Sequence, residues 1–458
     1  MSAGFAAVEV FLLFFATGEA ILHGYGSGDG NSKMQQIDDE PSFGCQWLGG
    51  MGSALECTCS DDTTQVMVIQ EDSFLYHDLN AIRIRKCPVV TFGENSIKTM
   101  RTLREIELSD ISELNLNERC FHWEGYAAAI DLNTPSLKVI VRNTTIKQIA
   151  SYSFMGKINR IEFDKTKIEN IAPFAFSSIS QSQNIAFYNS HIINMQPSAF
   201  KKFSTENLNI HNSKFEYLPS RSFSDLIVWD NFMISNTNMT TVHPGAFIID
   251  NPQRFEVTNS NFSHLDGEAF RIMTRGDVVF RSCILNTTYS PFIGISLNLR
   301  DTSVRKLIIL DNVMFNEITT KTFKINTTGF DLKINNIFTQ EPCDCRRITQ
   351  LEDDYQLESI YCFEDTPTSY QEYKGSSCSI LASNATLIIV LCTALILVIL
   401  IGTGLWCYFK KVYRCDKYGE EKNDKSGKLN MIVPDGRTYR ETELHVIVER
   451  TDLLTTDL

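Results

Sequence analysis

The residues best placed to do chemistry are cysteines. The 458-residue chain carries 13 of them, and eight fall into two quartets. Cys45, Cys57, Cys59 and Cys87 form one; Cys343, Cys345, Cys362 and Cys378 form the other. A quartet of thiols either holds zinc or closes two disulfides. Cys343-x-Cys345 has a spacing that zinc tolerates, but no histidine lies near it. Disulfides are the chemistry expected, and spacing alone leaves three pairings open within each quartet. Cys120 has no evident partner.

Other reactive constellations are missing from the sequence. There is no H-E-x-x-H, G-x-S-x-G or phosphate-gripping P-loop. The glycine-rich run Gly24 to Gly30 lacks the P-loop lysine and reads as a linker. The eight histidines fall singly, and Asp353–Asp354 reads as solvated charge. No enzymatic activity, cofactor or metal is expected. With 42 Lys+Arg against 55 Asp+Glu, the formal charge of −13 also argues against a nucleic-acid partner.

The elements that must carry these groups include one with a clear assignment. Leu387 to Phe409 contains no charged residue. A helix of that length, rising about 1.5 Å per residue, spans a hydrocarbon core of roughly 30 Å. Lys410, Lys411 and Arg414 follow immediately, and Trp406 and Tyr408 stand where an interfacial belt belongs. The positive-inside rule then puts the C-terminal tail in the cytoplasm. Val10 to Ala20 reads as the apolar core of a signal peptide ending near Gly18 or Ala20. Asn-x-Ser/Thr acceptors at Asn143, Asn238, Asn261, Asn286 and Asn326 all precede the membrane helix; Asn384 abuts the bilayer and is not expected to be used. The chain is therefore expected to be a single-pass type I plasma-membrane protein with its N-terminus outside. Cys407 and Cys415 flank the inner leaflet, where palmitoylation and free thiols are both open.

Between the cysteine quartets the sequence repeats itself. Ile210 to Phe223 and Val257 to Phe270 share Asn-Ser, Phe, Leu and Phe at the same places. The anchors recur at Ile161, Phe163, Thr166, Ile168, Ile171 and Phe176, then at Ile185, Phe187, Ser190, Ile192, Met195 and Phe200. Weaker copies begin at Ile82, Ile106, Val139, Val278, Ile308 and Leu332. Most starts lie 22 to 24 residues apart; two longer gaps imply insertions around Trp123–Thr134 and Gly294–Lys306. A period in the twenties marks a solenoid. Each alternating apolar pair makes a short strand with one buried face, which a lone coil cannot cover.

This pattern resembles the leucine-rich-repeat superfamily over roughly Ile82 to Ile337, in about eleven coils. One departure stands out. The family's inward Asn is replaced by Thr144, Thr166, Ser190, Ser213, Thr237, Ser260, Cys283 or Val313, with Asn often one residue earlier. A hydroxyl can satisfy a backbone group there and Val313 cannot, so an array less regular than the family ideal is expected. The resemblance implies an α/β-type solenoid, a horseshoe closed by disulfide caps. By the same resemblance the pairs are Cys343–Cys362, Cys345–Cys378, Cys45–Cys59 and Cys57–Cys87. It also implies a partner-binding concave sheet, whose outward positions include Arg160, Glu162, Tyr188, His211, Met233, Arg254 and Glu256. Mixed charges around a few aromatic or Met anchors suit a protein partner.

The organisation expected is a signal peptide (1–20), a linker (21–44), an N-terminal cysteine cap (45–81) and repeats (82–340). A C-terminal cap and stalk (341–384), a transmembrane helix (385–409) and a largely disordered tail (410–458) follow. The tail is too short for a kinase or a Toll-type signalling domain. Thr456, Asp457 and Leu458 match a C-terminal ligand for a PDZ scaffold, whose sheet edge accepts such a strand. Glu449 with Leu453–Leu454 has the form of an acidic dileucine signal read by a clathrin adaptor. The architecture is similar to leucine-rich-repeat adhesion molecules. The alternatives are a receptor or co-receptor for a secreted ligand, or an innate-immune recognition protein without its own signalling domain.

Overall fold

A computed structural model describes residues 44–48, 54–59, 66–71, 73, 79–124, 136–180, 182–288, 291–298, 304–323, 325–326, 328–352, 357–364 and 366–416. The signal peptide, almost all of the linker, the PDZ and dileucine motifs and Asp353–Asp354 lie outside these residues. The chain divides into two units, residues 1–382 and 383–458.

The first unit is a solenoid whose coils have three strand-forming sides. Side one carries the alternating apolar pairs. Its parallel ladder runs in register through Leu55, Ile82, Ile106, Val139, Ile161, Ile185, Leu208, Phe232, Phe255, Val278, Ile308 and Leu332. The ladder therefore starts at Ala54–Thr58, one coil before Ile82. The second side begins after the bend and includes Lys167–Ile171, His191–Met195, Lys214–Leu218, Asn238–Val242 and Asn261–Leu265. The third begins at the late Phe of each repeat, as in Phe247–Asp250 and Phe270–Thr274.

The third side overturns the α/β expectation. Among the described residues of the array no return segment is a helix: most are strands, and the remainder, at 94–102 and 320–323, run as turns. The reason is reach. Seven residues separate Phe200 from Leu208, and they must cross one side of the coil. As a helix they would cover only about 10 Å, whereas extended chain covers about 23 Å. Phe200–His211 and Phe223–Ser235 accordingly run as unbroken strands from the third side into the first. The insertion placed at Gly294–Lys306 is also narrower than expected, because Ile293–Leu297 is itself a third-side strand paired with Phe270–Thr274. Most of the other insertion, 125–135, lies outside the described residues.

Two ladders make the bend between the first and second sides. Asn143, Asn189, Asn212, Asn236, Asn259 and Asn312 all sit at positive φ, between 45° and 55°. Asn tolerates this left-handed region better than most residues, which accounts for its place one step before the inward position. The backbone N–H of Asn212 donates to Ser235 of the next coil at 2.9 Å, and that of Asn236 to Thr258 at 3.0 Å. The inward hydroxyls then satisfy the next donors. Ser213 Oγ accepts from Ser190 N at 3.1 Å and donates to the His211 carbonyl at 2.8 Å; Ser260 Oγ accepts from Thr237 N at 3.2 Å. Cys283 extends the series, its thiol donating to the Arg281 carbonyl at 3.2 Å. At the bend the hydroxyls and the Cys283 thiol take the inward place in turn, while the expected irregularity appears elsewhere as register shifts, as between Thr205 and Asn207.

The interior is organised around a column of phenylalanines. Phe154, Phe176, Phe200, Phe223, Phe247 and Phe270 are fully buried, and successive ring centroids lie 4.6, 4.2, 4.5, 4.9 and 4.9 Å apart at interplanar angles of 5° to 19°. This answers why each repeat ends in Phe: the ring's two faces are covered by the coils above and below.

The eight cap cysteines are oxidised, and one pairing is a correction. Cys45–Leu48 lies antiparallel to Ala54–Thr58 with Cys45 opposite Cys57. The bonds are thus Cys45–Cys57 and Cys59–Cys87, not Cys45–Cys59 and Cys57–Cys87. The hairpin brings Cys45 and Cys57 to a Cα separation of 3.9 Å, leaving Cys59 for Cys87. At the other end the bonds are Cys343–Cys362 and Cys345–Cys378. There the short helix Cys345–Leu351 inserts Ile348 and Leu351 into the end of the core. Among the described residues of the second unit one helix is long and apolar enough to cross a membrane, Leu387–Lys411, of mean hydropathy 2.9.

Removing a ring from the column exposes both its neighbours to a void. Phe200→Ala should lower unfolding free energy by about 3–5 kcal/mol, and Phe200→Leu by clearly less, measured by chemical denaturation.

Candidate functional site

The first side offers three outward columns, because its strands are in exact coil-to-coil register over most of their length. Arg160, Asn184, Asn207, Asn231 and Arg254 make one; Glu162, Ala186, Asn209, Met233 and Glu256 the next; Asp164, Tyr188, His211, Ser235 and Thr258 the third. All seven residues singled out from the sequence therefore share one surface spanning five coils.

Their surroundings divide that surface. Arg160 closes on Glu162 with contacts of 2.9 and 2.5 Å, and Arg254 on Glu256 at 2.7 Å. Each carboxylate is only 8% exposed. Such a pair, two residues apart on one strand, fixes the guanidinium across the sheet rather than out into water. Between these clamps the surface carries no ion pair among the described residues. Asn209 donates to Asn184 at 2.8 Å and Asn231 to Asn207 at 3.0 Å. Tyr188 meets His211 edge to face at 6.4 Å, and His211 Nδ1 lies 2.7 Å from Ser235 Oγ. Met233 stands half-buried among these amides. The centre is neutral and amide-rich, with Tyr188 and Met233 as its apolar anchors.

Sequence reasoning missed what precedes the first clamp. Arg83, Arg85, Glu105, Glu107, Lys138 and Arg142 form a continuous network, with Arg142–Glu107 at 2.6 Å and Arg85 reaching Glu56 at 3.1 Å. The signal was present in the alternation of Arg83, Arg85, Glu105 and Glu107, but the register of the weaker copies was needed to read it. Also missed were Trp229 (47% exposed) and Met273 (38% exposed) on the third side, with the Arg275 guanidinium 5.8 Å from the Trp229 ring centroid. Without a predicted third strand, no face could be assigned to them.

The second side is of a different character. Lys147 and Lys167 bracket Glu169 and hold its carboxyl below the usual range, chiefly through the Lys147 hydrogen bond. Lys214 and His191 do the same for Glu216, with Lys214 the larger influence. Asn238, Asn261 and Asn286 lie on this side on consecutive coils, and Asn143 at the bend leading to it. Asn326 lies beyond the strand Lys306–Phe315, outside any strand.

The two thiols left inside the array are chemically quiet. Burial pushes the Cys120 thiol far up from its ordinary value and raises Cys283 to about 11. Neither is a nucleophile near neutral pH. Among the described residues no group of His, Cys, Asp and Glu is arranged to hold a metal.

No curated protein matches the chain significantly. Residues 147–275, which contain the clamps, the amide centre and the whole phenylalanine column, match six copies of the BspA type leucine rich repeat region. This part of the chain is thus similar to BspA-type leucine-rich repeats.

Proposed function

We propose that the protein is a single-pass type I cell-surface molecule that binds an extracellular protein partner through the first side of its solenoid. It carries no chemistry of its own. Leucine-rich repeats generally serve as protein-binding surfaces, and six copies span the candidate site. The observation that carries the choice of side is the distribution of glycan acceptors. Asn238, Asn261 and Asn286 occupy the second side, while no Asn-x-Ser/Thr acceptor lies in the first-side columns. Bulky glycans there would leave the first side open. The helix Leu387–Lys411 supports membrane attachment, and the cap disulfides fit an oxidising exterior.

Recognition on this reading is centred on Tyr188 and Met233, with Arg160, Glu162, Arg254 and Glu256 as a fixed frame. Cells displaying the full chain should aggregate with one another or with partner-bearing cells. Tyr188→Ala and Met233→Ala should each weaken that binding about tenfold or more, roughly 1.4 kcal/mol, while Lys214→Ala on the second side leaves it unchanged. Capture of a secreted ligand without aggregation would favour the co-receptor alternative. Loss on Lys214→Ala with none on Tyr188→Ala and Met233→Ala would refute the assignment of the side.

For the cytoplasmic end, the same reading makes Thr456–Leu458 a PDZ ligand and Glu449 with Leu453–Leu454 an adaptor signal. The two nearly abut, so a bound scaffold should mask the sorting signal. Uptake of surface-labelled protein should slow when a PDZ domain is co-expressed and recover when Leu458 is deleted; equal uptake in all cases would rule the mechanism out.

A further inference from the structure

The second side changes character at its C-terminal end. Its outward column reads Lys167, His191, Lys214, Asn238 and Asn261, then Ile284, Met314, Phe338 and Tyr361, all in strand-to-strand register. Five polar or charged coils thus give way to four apolar ones. Ile284 is 37% exposed, and Met314, Phe338 and Tyr361 remain partly exposed although they face outward. Phe338 stacks on Tyr361 with centroids 5.3 Å apart and on Phe363 at 6.0 Å. A groove of about 270 Å³ opens between Ile284, Met314, Phe338 and Phe363. Buried hydrophobics need no such platform, and isolated exposed ones need no explanation, but a continuous column does.

Beside this column, two residues further along each strand, runs a column of amides. Asn286 follows Ile284, Asn316 follows Met314 and Gln340 follows Phe338. Gln340 Nε2 donates to Asn286 Oδ1 at 3.3 Å, and Asn316 is tied to the backbone of Thr287 at 2.8 Å. An apolar stripe flanked by amides is the chemistry that receives a sugar ring: its C–H face rests on aromatic and aliphatic carbon while its hydroxyl and N-acetyl groups meet the amides. Asn286 opens the acceptor Asn-Thr-Thr, and the bond from Gln340 uses its oxygen, leaving the nitrogen to which the sugar is joined.

We infer that the occupant of this stripe is the protein's own N-linked glycan on Asn286, its first N-acetylglucosamine units laid along Ile284, Met314 and Phe338. In the linking step the Asn286 amide nitrogen bonds to sugar C1 as the C1–O bond to a lipid-linked pyrophosphate breaks, and the amide gives up one proton. The reach is sufficient. Strand spacings of ~4.8 Å and ~3.3 Å per residue put Met314 about 8 Å and Phe338 about 12 Å from Asn286, within two sugar lengths. The glycan so placed covers exposed aromatic surface as well as solubilising the molecule, and it closes this end of the second side to a protein partner.

The inference rests on the extracellular reading above, and one experiment separates the two. Full-length protein from cultured animal cells is mapped for glycopeptides. Hydrogen exchange at 306–316 and 330–340 and binding of an apolar fluorescent dye are then compared for wild type, Thr288→Ala and wild type trimmed on the folded protein to a single N-acetylglucosamine. The expected result is an occupied Asn286, exchange about threefold faster and dye binding gained in Thr288→Ala, with the trimmed protein close to wild type at 306–316 but exchanging faster at 330–340, beyond the reach of one sugar. Fully deglycosylating the folded wild type should reproduce Thr288→Ala, which excludes a folding defect as the cause. No glycan at any acceptor would overturn both readings. Glycan on Asn143 or Asn238 but none on Asn286, or an occupied Asn286 whose removal leaves exchange and dye binding unchanged, would overturn this inference alone. Dimerisation through this stripe with the glycan present would give it to a second copy instead.

Discussion

Everything in the first unit depends on one constraint: a single coil of 22 to 24 residues cannot bury its own apolar face. The phenylalanine column shows how the chain meets it. Phe176, Phe200, Phe223 and Phe247 each have both ring faces covered by neighbouring coils, so a ring's burial is shared property of three repeats. The Asn bend and the hydroxyl ladder obey the same rule in hydrogen-bond terms. Ser213 satisfies a donor on the coil before it, and the Asn212 backbone N–H donates to the coil after it while its side-chain amide donates to Asn189 on the coil before. The two ends, where no neighbour exists, are the places where the chain uses disulfides.

Function follows from the same register. A ladder that repeats its backbone from coil to coil turns outward positions into columns, and a column accumulates chemical character that no single strand has. On the first side this yields a charge network, a neutral amide centre with Tyr188 and Met233, and two Arg–Glu clamps that frame it. On the second it yields ion pairs around Glu169 and Glu216, glycan acceptors, and then an apolar stripe. One scaffold thus presents unlike surfaces on adjacent sides, with the clamps' near-buried carboxylates setting the orientation of their guanidinium groups.

Much of this was legible in the sequence, and what was not has physical causes. Anchors two apart followed by a late Phe locate the first side and the core column directly, because side-chain alternation has period two on any half-buried strand. The membrane-length helix was legible for the same reason, being uninterrupted. The third side was hidden. Stretches such as Lys201 to Asn207 mix Lys, Phe, Ser, Thr and Glu without a clean alternation, since positive φ at Lys202 (59°) and a register shift between Thr205 and Asn207 break the period. The N-terminal disulfides were misassigned because the hairpin that sets Cys45 against Cys57 lies outside the repeat and leaves no periodic trace. The seven surface residues came from periodicity; the partners that fix them came only with the register.

The claim that the coils stand or fall together is most directly tested with the two buried thiols, Cys120 and Cys283, which lie near opposite ends of the array. Their rates of alkylation would be followed across a denaturant series under non-reducing conditions. Both should be inert in the native protein and become reactive in one transition, coincident with loss of near-ultraviolet signal from the aromatic column. Reaction of either thiol in the native state, or release of Cys283 well before Cys120, would contradict a stack whose burial is shared from end to end.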